Sequence, residues 1–239
     1  MPNSCYNIGM YLRTEGVILA HKNFGEADRL LTIYTKDHGK ITAIAKGVRR
    51  PRSKKAGHLE LGNWCKIFVA KGKNIDLLTE VEVKRAFGIA DFGEKKANKI
   101  YHLLEIVDIL TPANQKNLRV FSLLVSFLKK ASYSEDFNLV SSAFKIKLLA
   151  TLGFFSSHNL KESKAKTIFA IFENEDFEKI KEKIYSKQNS SLGPQSANWR
   201  TRTAGLDSER KQSYLKLLVF LDSMIESVAG QKLKTARFL

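Results

Sequence analysis

The residues whose chemistry stands out first are cations that crowd one stretch of the chain. No acidic residue occurs between Asp37 and Glu60. Seven positive residues fill that window: Lys40, Lys46, Arg49, Arg50, Arg52, Lys54 and Lys55. Like charges at this density repel one another, and a bound polyanion would relieve that repulsion. The run therefore predicts a site for phosphate groups, with an idle, solvated surface loop as the alternative.

The sequence around this run predicts how it is displayed. Alternating residues over Ile41–Lys46 predict a strand, and Gly47, Pro51 and Gly57 favour a loop after it rather than a helix. A cationic loop that leaves a rigid strand suits the sugar–phosphate backbone of a nucleic acid.

Strand patterns extend on both sides of the loop. Five segments have strand character: Thr14–Ala20, Arg29–Thr35, Ile41–Lys46, Trp64–Ala70 and Ile75–Lys84. An open sheet of this size would expose long edges, so we expect closure into a small barrel of the OB-fold type. Loops after the first and fourth strands of such barrels commonly hold single-stranded nucleic acid. Lys22 lies after the first predicted strand, and Lys71 and Lys73 lie after the fourth.

The last predicted strand has the clearest alternation. The apolar face holds Ile75, Leu77, Thr79, Val81 and Val83, and the polar face holds Asp76, Glu80, Glu82 and Lys84. Leu78 is the exception on the polar face. The alternation therefore predicts that the two sets lie on opposite faces of the strand.

From residue 93 the apolar spacing becomes that of helices. Long helices are predicted at Glu94–Leu110, Asn117–Lys130, Phe137–Leu152, Asp176–Lys187 and Ser208–Ala229. Thr167–Phe172 is a short apolar run, and Gln188–Thr203 is predicted to be a polar loop. The fold class is therefore α+β: an OB-fold domain over residues 1–87, followed by an all-α domain over residues 88–239.

Composition limits the functional class. The 239-residue chain has a net charge of +16, which indicates an anionic partner: nucleic acid, an anionic membrane surface or an acidic protein. Cys5 and Cys65 are the only cysteines, so we expect no disulfide framework and a reducing compartment. The sequence shows no signal-peptide pattern and no apolar run of about 18 residues, so we expect a cytoplasmic protein without a membrane partner.

No catalytic motif is evident. The five histidines are scattered, and neither a His-Glu-x-x-His, a Gly-x-Ser-x-Gly nor a phosphate-binding Gly-Lys-Ser/Thr pattern occurs. Glu26 and Asp28 could form a metal-binding pair, but a turn cap or local salt bridge is the simpler interpretation. We expect a binding protein rather than an enzyme, with no cofactor. A DNA-processing enzyme and an RNA-binding OB-fold protein of the translation apparatus remain as rival hypotheses.

Three aromatic residues are candidates for stacking on bases. Tyr34 and Trp64 lie in predicted strands, where a place in the core is favoured over a stacking role. Trp199, between Arg200 and Arg202 in the polar loop, is the better candidate for exposure.

Several motifs resemble the N-terminal domain of the bacterial DNA repair protein family RecO. They are Gly16-Val-Ile-Leu19, Phe24-Gly-Glu-Ala-Asp-Arg-Leu-Leu-Thr32, Thr35, His38-Gly-Lys40, Ala45-Lys-Gly-Val-Arg-Arg50 and Ser53. The resemblance covers roughly residues 14–87; the helical part is less similar.

The resemblance implies a function and a set of partners. Members of the family bind single- and double-stranded DNA, anneal complementary strands, and engage the acidic tail of single-stranded-DNA-binding protein (SSB). With RecR they help to load the recombinase RecA. The resemblance also implies a nucleoid-associated protein. From the charge pattern described above, the residues predicted to bind DNA are Lys46, Arg49, Arg50, Arg52, Lys54, Lys55, Lys71 and Lys73. An apolar groove with a cationic rim in the helical domain would receive the SSB tail.

One departure concerns metal. Many members carry a four-cysteine zinc motif after the third long helix, but residues 154–205 contain no cysteine here. A structural zinc site of that type needs four close ligands, which Cys5 and Cys65 cannot supply. We therefore expect no structural metal.

Overall fold

The structure is a computed structural model, and it describes residues 11–53, 55–87, 92–159, 163–180, 182–183 and 217–235. These residues fall into two compact units. The first comprises described residues of 11–125 together with 233–235, and the second those of 126–232. The predicted boundary at residue 87 follows the change from strands to helices and stays a prediction.

Five strands form a closed barrel in the first unit. They are β1 (Tyr11–Phe24), β2 (Asp28–Thr35), β3 (Gly39–Ala45), β4 (Trp64–Ala70) and β5 (Asp76–Arg85), and they pair in the order β1-β2-β3-β5-β4. The seam between β3 and β5 is parallel, with Ala43 opposite Asp76 and Ile44 opposite Leu77. The predicted OB-fold class is confirmed.

β1 is longer than the sequence predicted. Its first half pairs with β4 and its second half with β2, with a register shift between Ile18 and Ala20. The strand continues through His21, Lys22 and Asn23, whose polar side chains resemble a turn in the sequence. They remain in the strand because this part of the β1–β2 hairpin lies at the barrel surface and needs no apolar face.

The predicted faces of β5 are wrong over its first residues. Leu78 is buried in the barrel core, whereas Ile75 is 40% exposed. The cause is a bulge: Phe68 pairs with Glu80 and the next residue of β4, Val69, pairs with Leu78. An extra residue reverses the alternation, so Val81 and Val83 pack on the core while Leu78 replaces Leu77.

The helices are α1 (Glu94–Leu110), α2 (Leu118–Tyr133), α3 (Phe137–Thr151) and α4 (Ser163–Asn174). Residues 177–180, 182–183 and 217–229 are also helical. The predicted helix Glu94–Leu110 is confirmed, and the short run Thr167–Phe172 proves to be part of α4. All of Gln188–Thr203 and the start of Ser208–Ala229 lie outside the described residues.

α1 is tied both to the barrel and to a late segment of the chain. Lys40 of β3 forms an ion pair with Asp108, with 3.0 Å between Nζ and Oδ1. The backbone N–H groups of Lys234 and Thr235 each donate to the Glu105 carboxylate at 2.9 Å. Burial alone would raise the pKa of Glu105, but these hydrogen bonds outweigh it and hold that pKa below its usual value.

The second unit contains a buried ion pair. Lys145 of α3 is 2% exposed, and its ammonium group contacts the Asp222 carboxylate. Across the described part of the chain, no helix is both long enough and apolar enough to cross a bilayer.

Candidate nucleic-acid interface

The cationic loop is fixed to the tip of the β1–β2 hairpin. The N–H of Gly47 donates to Oδ1 of Asp28 at 2.7 Å, and the N–H of Arg49 donates to the carbonyl of Ala27 at 2.9 Å. Gly47 has φ of +65°, a conformation that glycine adopts readily. Val48, between them, is 1% exposed and belongs to the barrel core. The start of the loop therefore has a defined position on the barrel.

Four cations of the loop face solvent: Lys46, Arg49, Arg50 and Arg52. Arg49 donates through Nη1 to the carbonyl oxygens of Gly25 and Glu26, at 3.3 and 3.2 Å. Those acceptors are neutral, so they position the guanidinium group without cancelling its charge. Within the described ranges, no carboxylate forms an ion pair with any of these four residues.

Several other cations of the barrel contact an acceptor within the protein. Lys40 pairs with Asp108, and Arg29 pairs with Glu60 at 3.1 Å. Lys55, one of the cations predicted to bind DNA, does not extend freely into solvent. It is half-buried, and its ammonium group donates to the carbonyl of Thr79 at 2.6 Å. The charge pattern of the loop contains no sign that this lysine turns back onto β5. Lys54 lies outside the described residues.

Lys71 and Lys73 occupy the β4–β5 turn and are exposed. Lys71 is ion-paired with Asp76, with 2.7 Å between Nζ and Oδ2. Asp76 pairs with Ala43 at the β3–β5 seam, and the cationic loop begins three residues after Ala43. Both cationic segments therefore adjoin this seam. Their part in DNA binding stays a prediction.

Asp28 has a role that the sequence did not predict. Its carboxylate caps the loop at Gly47 instead of its own turn, and the neighbouring Arg29 pairs with Glu60. Asp28 and Gly47 are separated by 19 positions. Neither periodicity nor turn chemistry predicts a contact at that separation.

The two barrel aromatics that were candidates for stacking, Tyr34 and Trp64, differ in their burial and in their contacts. Tyr34 is 1% exposed, in agreement with the prediction that it is buried rather than stacked on a base. It lies outside the core cluster of the barrel, and its hydroxyl donates to the Asn117 carbonyl. Burial raises its pKa to about 12. Trp64 is half-buried, with the Lys84 ammonium 4.4 Å from its ring centroid and its Nε1 donating to Glu15 at 3.2 Å. Trp199 lies outside the described residues.

One groove of the second unit can be compared with the expected SSB-tail site. It is lined by Lys130, Tyr133, Ser134, Glu135, Asp136, Leu139, Val140, Phe177, Glu178 and Glu182. Lys130 and Tyr133 both contact the Glu178 carboxylate. Acidic side chains outnumber the single lysine, so this groove does not match an acidic peptide.

Histidines and acids show no metal-like grouping where the structure describes them. No cluster of three or more His, Cys, Asp or Glu residues occurs there. His102 is buried in α1, and its Nδ1 lies 2.8 Å from Oγ1 of Thr235. Cys5 and all of residues 184–205 lie outside the described residues, so the absence of a structural metal stays a prediction.

A closed five-stranded barrel with the strand order β1-β2-β3-β5-β4 defines an OB-fold protein. Family comparisons agree with this class. The description "Recombination protein O N terminal" matches residues 10–87, and "Recombination protein O C terminal" matches residues 100–206. The chain belongs to the RecO family.

Curated relatives carry the same family name. The DNA repair protein RecO of Acetivibrio thermocellus is 32% identical over 145 residues, which is 60% of this chain and 58% of that protein. The RecO proteins of Moorella thermoacetica and Alkaliphilus metalliredigens are 36% and 32% identical, over 59% and 60% of this chain. The aligned segments span 52% and 59% of those two proteins. The rival interpretation as an RNA-binding translation protein finds no support in these matches.

Proposed function

We propose that this protein binds DNA in recombinational repair, and that it acts by binding and annealing strands rather than by covalent catalysis. The observation that carries the proposal is the group of four exposed cations, Lys46, Arg49, Arg50 and Arg52, on a loop anchored to the barrel. The relatives named DNA repair protein RecO support the biological setting.

Phosphate groups are the ligands that fit this loop. Guanidinium groups bind phosphate oxygens with strong charge-assisted hydrogen bonds. Such contacts carry no base information, so the protein binds single- and double-stranded DNA of any sequence. Two complementary strands held near the same cations repel one another less, and they pair by their own base-pairing free energy. Lys71 and Lys73 extend the cationic surface across the β3–β5 seam.

The partners belong to the same proposal. We place the protein at the nucleoid with RecR and the SSB tail, where it assists RecA loading. A cationic site for the SSB tail would lie outside the acidic groove that Glu135, Glu178 and Glu182 line. A peptide with the acidic, apolar-ended chemistry of that tail should bind at low salt. A scrambled peptide of the same net charge is the control, and equal binding of the two would reject a specific site.

The test of DNA binding is the salt dependence of affinity. Removing one phosphate interaction with single-stranded DNA lowers the slope of log affinity against log salt by about 0.7. The triple variant Arg49→Ala, Arg50→Ala, Arg52→Ala should therefore lower it by roughly two units if all three arginines bind phosphate. Lys55 is left intact because it contacts Thr79.

A control variant separates local contacts from net charge. Lys129, Lys166 and Lys179 are exposed in the helical part, and changing all three to Ala removes the same total charge. The control should keep nearly the full slope on two unrelated oligonucleotides, whereas the loop variant loses affinity for both. Equal slopes for the loop variant and the wild type would refute the proposed role of the loop.

A further inference from the structure

An exposed aromatic ring lies beside the cationic loop. Phe24 is the last residue of β1 and is 45% exposed. A phenylalanine ring that is nearly half exposed forgoes part of the free energy of burial. Its place at the tip of the β1–β2 hairpin suggests a ligand that has a flat apolar surface.

The contacts of the hairpin place charges around this ring. Phe24 pairs with Asp28, the residue that caps the loop at Gly47. The guanidinium group of Arg49 lies 3.3 Å from the carbonyl oxygen of Gly25, the residue next to Phe24. Lys22 is exposed and lies two positions earlier in the same strand, so its side chain shares a face with Phe24. Two cations therefore lie on residues that neighbour Phe24 in the hairpin and at its contact with the loop.

We propose that Phe24 is a stacking platform for an unpaired nucleobase whose neighbouring phosphates contact Arg49 and Lys22. This inference rests on the proposed DNA-binding function and adds a base subsite to it. Every base has a flat π surface, so stacking tolerates any sequence. Bases inside a duplex are already stacked on both faces. The platform therefore favours single-stranded over double-stranded DNA, which phosphate contacts alone do not.

The other barrel aromatics fit this role less well. Tyr34 is buried, and the ring of Trp64 has the Lys84 ammonium above it. Tyr11 is 52% exposed and stacks on Phe68, with 5.3 Å between ring centroids, but it lies at the opposite end of β1 from the loop. Tyr11 therefore provides a matched control: an exposed aromatic of the same strand without the adjacent loop.

The experiment compares two single-stranded probes of equal length, oligo(dT) and a strand of abasic sites with the same phosphates. Phe24→Ala should weaken binding to oligo(dT) by at least about fivefold, the lower end of what one stacked base contributes. Its affinity for the abasic strand and its salt slope should stay unchanged. Phe24→Trp should restore oligo(dT) binding, and its fluorescence should be quenched by oligo(dT) but not by the abasic strand. Tyr11→Ala should bind both probes as the wild type does.

Each result separates this inference from the function on which it rests. If Phe24→Ala binds oligo(dT) as tightly as the wild type, the platform is refuted while DNA binding stands. If it loses affinity equally for both probes, the ring supports the loop rather than a base, and the platform is again refuted. If the wild type binds neither probe, the proposed function fails and this inference fails with it.

Discussion

The hydrogen bond between Asp28 and Gly47 allows the position of the cationic loop to be tested apart from its charge. Asp28→Ala removes both the carboxylate and the acceptor for the Gly47 N–H, which lies 2.7 Å from Oδ1. Asp28→Asn removes the same negative charge but keeps an acceptor oxygen at that place. The difference between the two variants therefore reports the hydrogen bond alone.

The expected magnitude follows from the type of bond. In Asp28→Asn the bond joins two neutral groups, and a hydrogen bond of that kind contributes about 0.5–1.5 kcal/mol. If DNA binds only when the loop is in the position that this hydrogen bond stabilises, its loss weakens DNA binding by up to about tenfold. Loss of a nearby negative charge favours DNA in both variants. Asp28→Asn should therefore bind at least as tightly as the wild type, and Asp28→Ala should bind more weakly than Asp28→Asn.

Fluorescence anisotropy of a labelled oligonucleotide, titrated at several salt concentrations, measures this difference. The salt slopes of the two variants should agree, because neither removes a cation. Circular dichroism should show the same folded signal for both. Equal affinities of Asp28→Ala and Asp28→Asn would show that the anchor does not position the loop for DNA, and the reasoning from its geometry would be wrong.

Two further predictions concern stability. Lys145→Met should lower the free energy of unfolding by about 3 kcal/mol, because Asp222 keeps its charge at a largely buried site. The double variant Lys145→Met, Asp222→Leu should regain most of that free energy. Urea denaturation of the three proteins measures both differences. Burial holds the pKa of Lys145 below its usual value, so at alkaline pH just below the ordinary lysine pKa the unfolded chain binds more protons than the folded one. In that pH range the free energy of unfolding of the wild type, relative to that of Lys145→Met, should therefore rise with pH. A fall with pH would contradict the lowered pKa of Lys145. Gly39→Ala should cost at least about 2 kcal/mol, because φ is +67° and a Cβ would lie 2.0 Å from the Gln115 carbonyl oxygen. Gly25→Ala is its control, with φ of +55° and open space around the Cβ; equal losses of melting temperature would mean that the clash has no effect.

The elements that the sequence predicted best are those whose patterns end at clear turn signals. The strand Trp64–Ala70 precedes a Lys-Gly-Lys-Asn turn, and the helix Glu94–Leu110 ends before Thr111-Pro112, and both have the predicted bounds. The faces of β5 were mispredicted because a bulge depends on the partner strand. No local pattern in β5 itself encodes that extra residue.

The candidate site was predictable in its chemistry and only partly in its geometry. The run of cations pointed to phosphate, and the alternating strand before it pointed to a loop on a barrel. Which cations face solvent depends on contacts between distant residues, as with Lys55 and Thr79 or Lys40 and Asp108. Phe24 was not predicted as a site residue, although it begins one of the motifs that resemble the RecO family. The sequence does not reveal whether an apolar residue at the end of a strand is buried or exposed.

The hydrogen bonds from Lys234 and Thr235 to Glu105 affect the order in which the chain can fold during synthesis. The first compact unit draws on residues on both sides of the second unit, which is continuous in sequence. The barrel strands and α1 leave the ribosome early, but the Glu105 carboxylate cannot receive its donors until residue 235 has emerged. By then all residues of the second unit have been made. The first unit can therefore begin to fold first, but it cannot be completed until the whole of the second unit has been synthesised.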